Sequence, residues 1–81
     1  MFEVTLHAVA ANSVERIERV VHKHSGGKLD HVARVALLAK VAAGQPQVIA
    51  RYHEEPCAAN VITELTLLRA TASVGKAVEV V

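Results

Sequence analysis

Hydrophobic positions recur along this chain with two different periods, which together predict most of its elements. From residue 2 to residue 8 every second side chain is apolar, a pattern that predicts a strand with one buried face. Between residues 14 and 24 apolar side chains recur at spacings of three and four with charged residues between them, which predicts an amphipathic helix. Asn12 and Glu15 fit a capping box at its start, and a glycine pair stops it.

Residues 28–43 fit both the two-residue period of a strand and the three-to-four-residue period of a helix. Apolar side chains occupy most odd positions, as in a strand, yet the segment is rich in Ala, Leu, Lys and Arg and ends at Gly44, as a helix would. Sixteen residues exceed the length of an ordinary strand, and alanine is the best helix former and a poor strand residue. The segment therefore favours a helix, with an extended conformation as the alternative.

The second half of the chain predicts a strand, a helix and a closing strand. Alternation from Val48 to Tyr52 indicates a strand, and Glu54, Glu55 and Pro56 are typical of a helix start. Helical spacing then continues to residue 72, Gly75 would break the helix, and residues 77–81 would form the last strand.

These elements predict one α+β domain spanning residues 1–81. The expected architecture is a two-layer sandwich of order β-α-α-β-α-β, with a three-stranded sheet covered on one face by helices. If residues 28–43 are extended, the order becomes β-α-β-β-α-β, which is the ferredoxin-like sandwich.

Composition narrows the possible partners. The net charge is only +1 and there are two aromatic residues, Phe2 and Tyr52, which argues against a dedicated nucleic-acid binder. The longest apolar run, residues 35–39, is too short to span a membrane, and the amino terminus lacks the pattern of a signal peptide. We therefore expect a cytoplasmic protein without a membrane partner.

Residues with catalytic or metal-binding chemistry form no recognisable site in the sequence. His22 and His24 would lie about 200° apart on a helix and could not share a metal ion. His53 and Cys57 would supply two ligands, whereas a structural zinc site needs four. No third group would orient His53 as a base for the Cys57 thiol. We expect Cys57 to be a small buried thiol, and we predict no enzymatic activity, no metal and no cofactor.

The amino-terminal third contains a spaced set of apolar and small residues: Phe2, Val4, Leu6, Ala8, Ala11, Asn12, Val14, Ile17 and Val20. In one ungapped frame, this set resembles the C-terminal domain of the bacterial ribosomal stalk protein. The Clp protease adaptor of the ClpS type is similar in element lengths and has Leu-His at the positions of Leu6 and His7. The contact residues of both families are replaced here, so the resemblance implies the scaffold and its use of a helical face to hold another protein.

A second resemblance concerns the first predicted helix. Residues 13–21 are similar to the first helix of ACT-type regulatory domains, which are ferredoxin-like and bind amino acids between paired sheets. This resemblance implies a regulatory subunit that binds a small effector.

The sequence therefore predicts a non-enzymatic, adaptor-like protein-interaction domain that presents its first two helices to another chain or to a second copy. An apolar helix over residues 32–41 would have more apolar surface than one sheet can cover. The residues expected to contact the partner are Arg16, Arg19, Val21, Arg34, Leu37, Leu38, Lys40 and Val41. The alternatives are an ACT-like regulatory subunit and a small structural component of a larger assembly.

Overall fold

Over the residues that the structure describes, the fold is α+β with three α-helices and a three-stranded sheet, as the sequence predicts. The computed structural model describes residues 1–76. The elements in chain order are β1 (Phe2–Ala8), a 3-10 turn (Ala11–Ser13), α1 (Val14–His24), α2 (His31–Ala42), β2 (Gln47–Tyr52), α3 (Glu55–Leu67) and β3 (Thr71–Lys76). The predicted order β-α-α-β-α-β is confirmed.

The first strand lies at the centre of an antiparallel sheet of order β2-β1-β3. Its period-two pattern has the expected consequence, because Val4 and Leu6 are fully buried beneath the helices. The opposite side of the sheet is polar and includes Glu3, which accepts a hydrogen bond from Arg51 at 2.7 Å. The core therefore lies on one side of the sheet.

A bulge in β2 changes which of its side chains reach the core. Val4 of β1 pairs with Ala50 and Thr5 pairs with Val48, so Ile49 is an extra residue in the ladder. Ile49 and Ala50 are consecutive, yet both are buried. Strict alternation in β2 is lost at this point.

Residues 31–42 form a helix, which excludes the ferredoxin-like alternative for this segment. The Asp30 side chain caps the helix, because its carboxylate accepts the N–H of Ala33 at 2.7 Å. Leu38 and Val41 pack into the core beside Ile17 and Val21 of α1. Length and alanine content were therefore better guides than the alternating pattern.

The predicted end of the third helix was wrong. Helix α3 ends at Leu67, and Thr71–Lys76 is a strand rather than a continuation of the helix followed by a break at Gly75. Arg69 adopts a left-handed conformation with φ 60°, and the N–H of Ala70 bonds to the carbonyl of Leu65 at 3.0 Å. The predicted closing strand, residues 77–81, lies outside the described residues.

The predicted capping box at the start of α1 was also wrong. Asn12 lies within the 3-10 turn, and the N-cap residue, Ser13, makes no side-chain cap hydrogen bond. Instead the backbone N–H of Ser13 bonds to the carbonyl of Ala10 at 3.0 Å. The 3-10 turn leads directly into α1 and replaces a side-chain cap.

Candidate functional site

Helix α2 exposes an apolar surface on the side that faces away from the core. Val32 is 75% exposed and Val35 is 48% exposed, although both are large hydrophobic residues. Ala36 and Ala39 follow at helical spacing on the same side and are also exposed. We call these four residues the outer face of α2. It is the part of the helix that neither the sheet nor α1 covers.

Positively charged side chains lie beside this face and on α1. Lys40 is exposed on α2 itself, and Arg16 and Arg19 are exposed on α1. Within residues 1–76 none of the three forms an ion pair. The outer face of α2 is therefore apolar, and Lys40 adds to the same helix a positive charge without an ion-pair partner in the described residues.

A polar cluster joins α1 to the first turns of α2. One carboxylate oxygen of Glu18 lies 2.7 Å from Nδ1 of His31 and 3.3 Å from Nε of Arg34. The Nη1 of Arg34 donates to the carbonyl of Leu29 at 2.6 Å and lies 3.0 Å from Nδ1 of His22. These contacts fix α2 against α1 and surround an open cleft of about 430 Å³.

The electrostatics of this cluster favour the ionised carboxylate. The hydrogen bond from His31 holds the pKa of Glu18 below its usual value, and the hydrogen bond from Arg34 acts in the same direction, while desolvation opposes both. The Glu18 carboxylate thus has partners on two side chains of α2, His31 and Arg34. This arrangement is that of a structural clamp between two helices.

A second network links α1, β2 and α3. Nε2 of His24 lies 2.7 Å from one carboxylate oxygen of Glu64, while Lys23 donates to the other at 3.0 Å. On its other side Nδ1 of His24 lies 2.6 Å from the hydroxyl of Tyr52. The His24 and Lys23 hydrogen bonds hold the pKa of Glu64 below its usual value, and burial raises the pKa of Tyr52.

The chemistry of this network is consistent with a structural role. A neutral imidazole with its proton on Nε2 donates to Glu64 and accepts from the Tyr52 hydroxyl, so both ring nitrogens of His24 have partners. A general base needs a ring nitrogen that can reach a substrate proton. His24 instead ties the end of α1 to a strand and to another helix.

The structure corrects one expectation about Cys57. The thiol is exposed rather than buried, near the start of α3. Over residues 1–76 no group of three or more histidine, cysteine, aspartate or glutamate side chains is placed to hold a metal ion. None of the helices in this range is long and apolar enough to cross a membrane.

The predicted contact residues divide into three sets, which are buried, partly buried and exposed. Val21, Leu38 and Val41 are at most 4% exposed and belong to the core, so the folded chain does not present them at its surface as the sequence prediction required. Arg34 has a side chain that is only 14% exposed and is held by Glu18 and Leu29, and Leu37 is half-buried. Arg16, Arg19 and Lys40 remain exposed as expected.

None of the four residues on the outer face was part of that prediction. Val32 and Val35 share a face at helical spacing, but an apolar helix offers no sequence signal for which side its neighbours will cover. Only the packing of Leu38 and Val41 into the core identifies the opposite side as the free one.

Comparisons with protein-family models, with curated proteins and with solved structures found no match to this chain. The resemblances to the stalk domain, the Clp adaptor and the ACT-type domains therefore stay predictions.

Proposed function

We propose that the protein is a non-enzymatic, adaptor-like interaction domain that binds another protein through the outer face of α2. The observation that carries this proposal is the exposure of Val32 and Val35 on a helix whose opposite side already fills the core. Contiguous apolar surface on a small domain commonly marks a protein contact site. A partner that covers these side chains would remove them from water.

A charge beside the outer face indicates the chemistry of the partner. Lys40, on α2 itself, is an exposed cation without an ion-pair partner in residues 1–76. A second copy of the chain docking by the same face would bring the two Lys40 side chains towards each other, which is unfavourable. We therefore propose a different protein, with an apolar patch bordered by carboxylates.

The way α2 is held supports a preformed binding surface. Asp30 caps its first turn, and Arg34 and Glu18 clamp it to α1. Because the backbone of α2 is already ordered, binding would require little further ordering beyond the exposed side chains. A rigid helix that presents an apolar stripe suits recognition by a groove or a second helix.

The partner can be sought with a photoreactive amino acid incorporated at position 35 of the full chain. The matched control carries the same photoreactive residue at position 63, because Thr63 is exposed on α3, away from α2. We expect one protein to crosslink in cells from position 35 and not from position 63. That protein is then purified, and its Kd is measured for the wild type, Val35→Asp and Thr63→Asp.

The proposal predicts that Val35→Asp weakens binding at least tenfold, which corresponds to about 1.4 kcal/mol, and that Thr63→Asp changes the Kd less than twofold. If the two variants had equal Tm values, the weaker binding of Val35→Asp would come from lost contact with the partner and not from unfolding. Failure to crosslink any protein specifically from position 35, or an unchanged Kd, would refute the proposal. If position 35 crosslinked only to a second copy of the chain, the proposal that the partner is a different protein would be refuted.

A further inference from the structure

A second surface lies along the free edge of β2. Because the sheet order is β2-β1-β3, β2 pairs with β1 on one side and with no other strand in residues 1–76. Its outer edge therefore offers backbone N–H and C=O groups to a further strand. This edge belongs to β2 and shares no residue with the outer face of α2.

An open groove of about 360 Å³ runs beside this edge. On one side it is lined by four consecutive β2 residues, Val48–Arg51, and on the other by His24, Ser25, Lys28 and Leu29 from the end of α1 and the loop that follows. No residue of β1 lines it, which places the groove on the outer side of β2. Four strand residues correspond to a length of about 13 Å, at roughly 3.3 Å per residue.

The groove is positively charged. Its lining includes two basic side chains, Lys28 and Arg51, together with His24, and it includes no acidic residue. Arg51 is paired with Glu3, and His24 with Glu64. Lys28 is exposed and makes no ion pair within the described part of the chain, so it is the charge that is free to meet a ligand.

The loop opposite the strand has a defined conformation. Gly26 and Gly27 both have positive φ, 66° and 77°, and the N–H of Lys28 bonds back to the carbonyl of Ser25 at 3.3 Å. Glycine adopts these angles without strain, so the turn holds Lys28 beside the groove. At the other side, the bulge at Ile49 and the proline that precedes β2 limit regular pairing to a short stretch.

We propose that this groove binds a short, extended, acidic peptide segment of another protein, which adds a fourth strand to the edge of β2 and places a carboxylate at Lys28. Backbone hydrogen bonds to β2 would supply affinity that is largely independent of sequence, and the positive charge of the groove would select acidic side chains. The bulge confines the added strand to a few residues, which favours a peptide over open-ended association of sheets.

The test uses the full chain labelled with ¹⁵N and a seven-residue peptide of alternating valine and glutamate. The peptide is acetylated and amidated so that only side-chain carboxylates are present, and a valine–lysine peptide of equal length serves as the ligand control. We expect the acidic peptide to shift the amide resonances of residues 26–28 and 47–52 and to slow hydrogen exchange in β2. The resonances of β3, the other sheet edge, should stay unchanged.

Matched lysine variants separate the groove from general charge attraction. Lys28→Glu should weaken binding of the acidic peptide at least fivefold, whereas Lys76→Glu, an exposed lysine on β3, should change it less than twofold. Both positions are exposed, so both variants are expected to keep the wild-type Tm. No binding of the acidic peptide, equal effects of the two variants, or shifts confined to β3 would each overturn the proposal.

Discussion

Helices α1 and α2 bury their inner faces in the same core but meet the solvent in opposite ways. The inner side of α1 contributes Ile17 and Val21, and that of α2 contributes Leu38 and Val41. The exposed side of α1 is charged, whereas that of α2 consists largely of valine and alanine. A charged face is well solvated in water, while an apolar one gains free energy by being covered. The inner faces of both helices therefore build this fold, and the outer face of α2 takes no part in the core.

Truncation of the inner faces should have the largest effect and should affect both helices alike. Ile17 is 0% exposed and Leu38 is 4% exposed. Because each substitution removes buried methyl groups and leaves a cavity, Ile17→Ala and Leu38→Ala should each lower the free energy of unfolding by about 2–4 kcal/mol. Urea denaturation measures both, with Arg16→Ala as the exposed control. A loss below about 1 kcal/mol for Leu38→Ala alone would contradict the packing of α2.

Removing the N-cap side chains of α1 and α2 should give the next largest difference in the free energy of unfolding. Asp30→Ala removes the carboxylate that caps α2 and should lower the free energy of unfolding by about 1 kcal/mol. Ser13→Ala should have almost no effect, because Ser13 makes no side-chain cap bond to α1. Thermal unfolding of both variants at neutral pH distinguishes them. Equal losses would mean that α1 has a side-chain cap after all.

The sequence could predict most elements because their signals are local. The alternation in β1 and the length and alanine content of residues 31–42 each act within one segment. The end of α3 could not be predicted in this way. Arg69 adopts a left-handed conformation for which a glycine would have been the sequence signal, and the pairing of β3 with β1 spans most of the chain.

The candidate site was predictable only in outline, for a related reason. An apolar helix over residues 32–41 indicates excess apolar surface, but the side that remains free depends on packing against α1 and the sheet. The same holds for Arg34, which looks like a surface cation in the sequence. Its contacts with Glu18 and Leu29 involve residues 16 and 5 positions away, whose placement depends on the turn between the helices.

Lowering the pH should weaken the Glu18 cluster, which joins α1 to α2, and the Glu64 network, which joins α1 to α3. The folded-state pKa values of Glu18 and Glu64 are lowered, so the unfolded chain takes up protons first as the pH falls. Their contribution to stability is therefore present above the usual carboxyl pKa and is lost as the pH drops through the lower folded values. Measurements of Tm from pH 7 to pH 3 should show a decline that is shallower in Glu18→Gln and in Glu64→Gln. If the Tm of both variants fell with the same slope as that of the wild type, neither the Glu18 cluster nor the Glu64 network would stabilise the fold.

Replacing exposed side chains of α1 and α2 should have the smallest effect on the free energy of unfolding. The variants of the two helices should differ instead in their retention on a hydrophobic-interaction column. Val32→Ser with Val35→Ser, and the matched pair Arg16→Ser with Arg19→Ser, alter exposed positions, so each double variant should stay within about 0.5–1 kcal/mol of the wild type. Only the valine variant removes exposed apolar surface, so only it should elute earlier from a hydrophobic-interaction column. A valine variant destabilised by about 2 kcal/mol or more would show that these side chains are already covered in solution. If that loss disappeared on dilution, the covering surface would be a second copy of the chain, because dimer stability depends on protomer concentration.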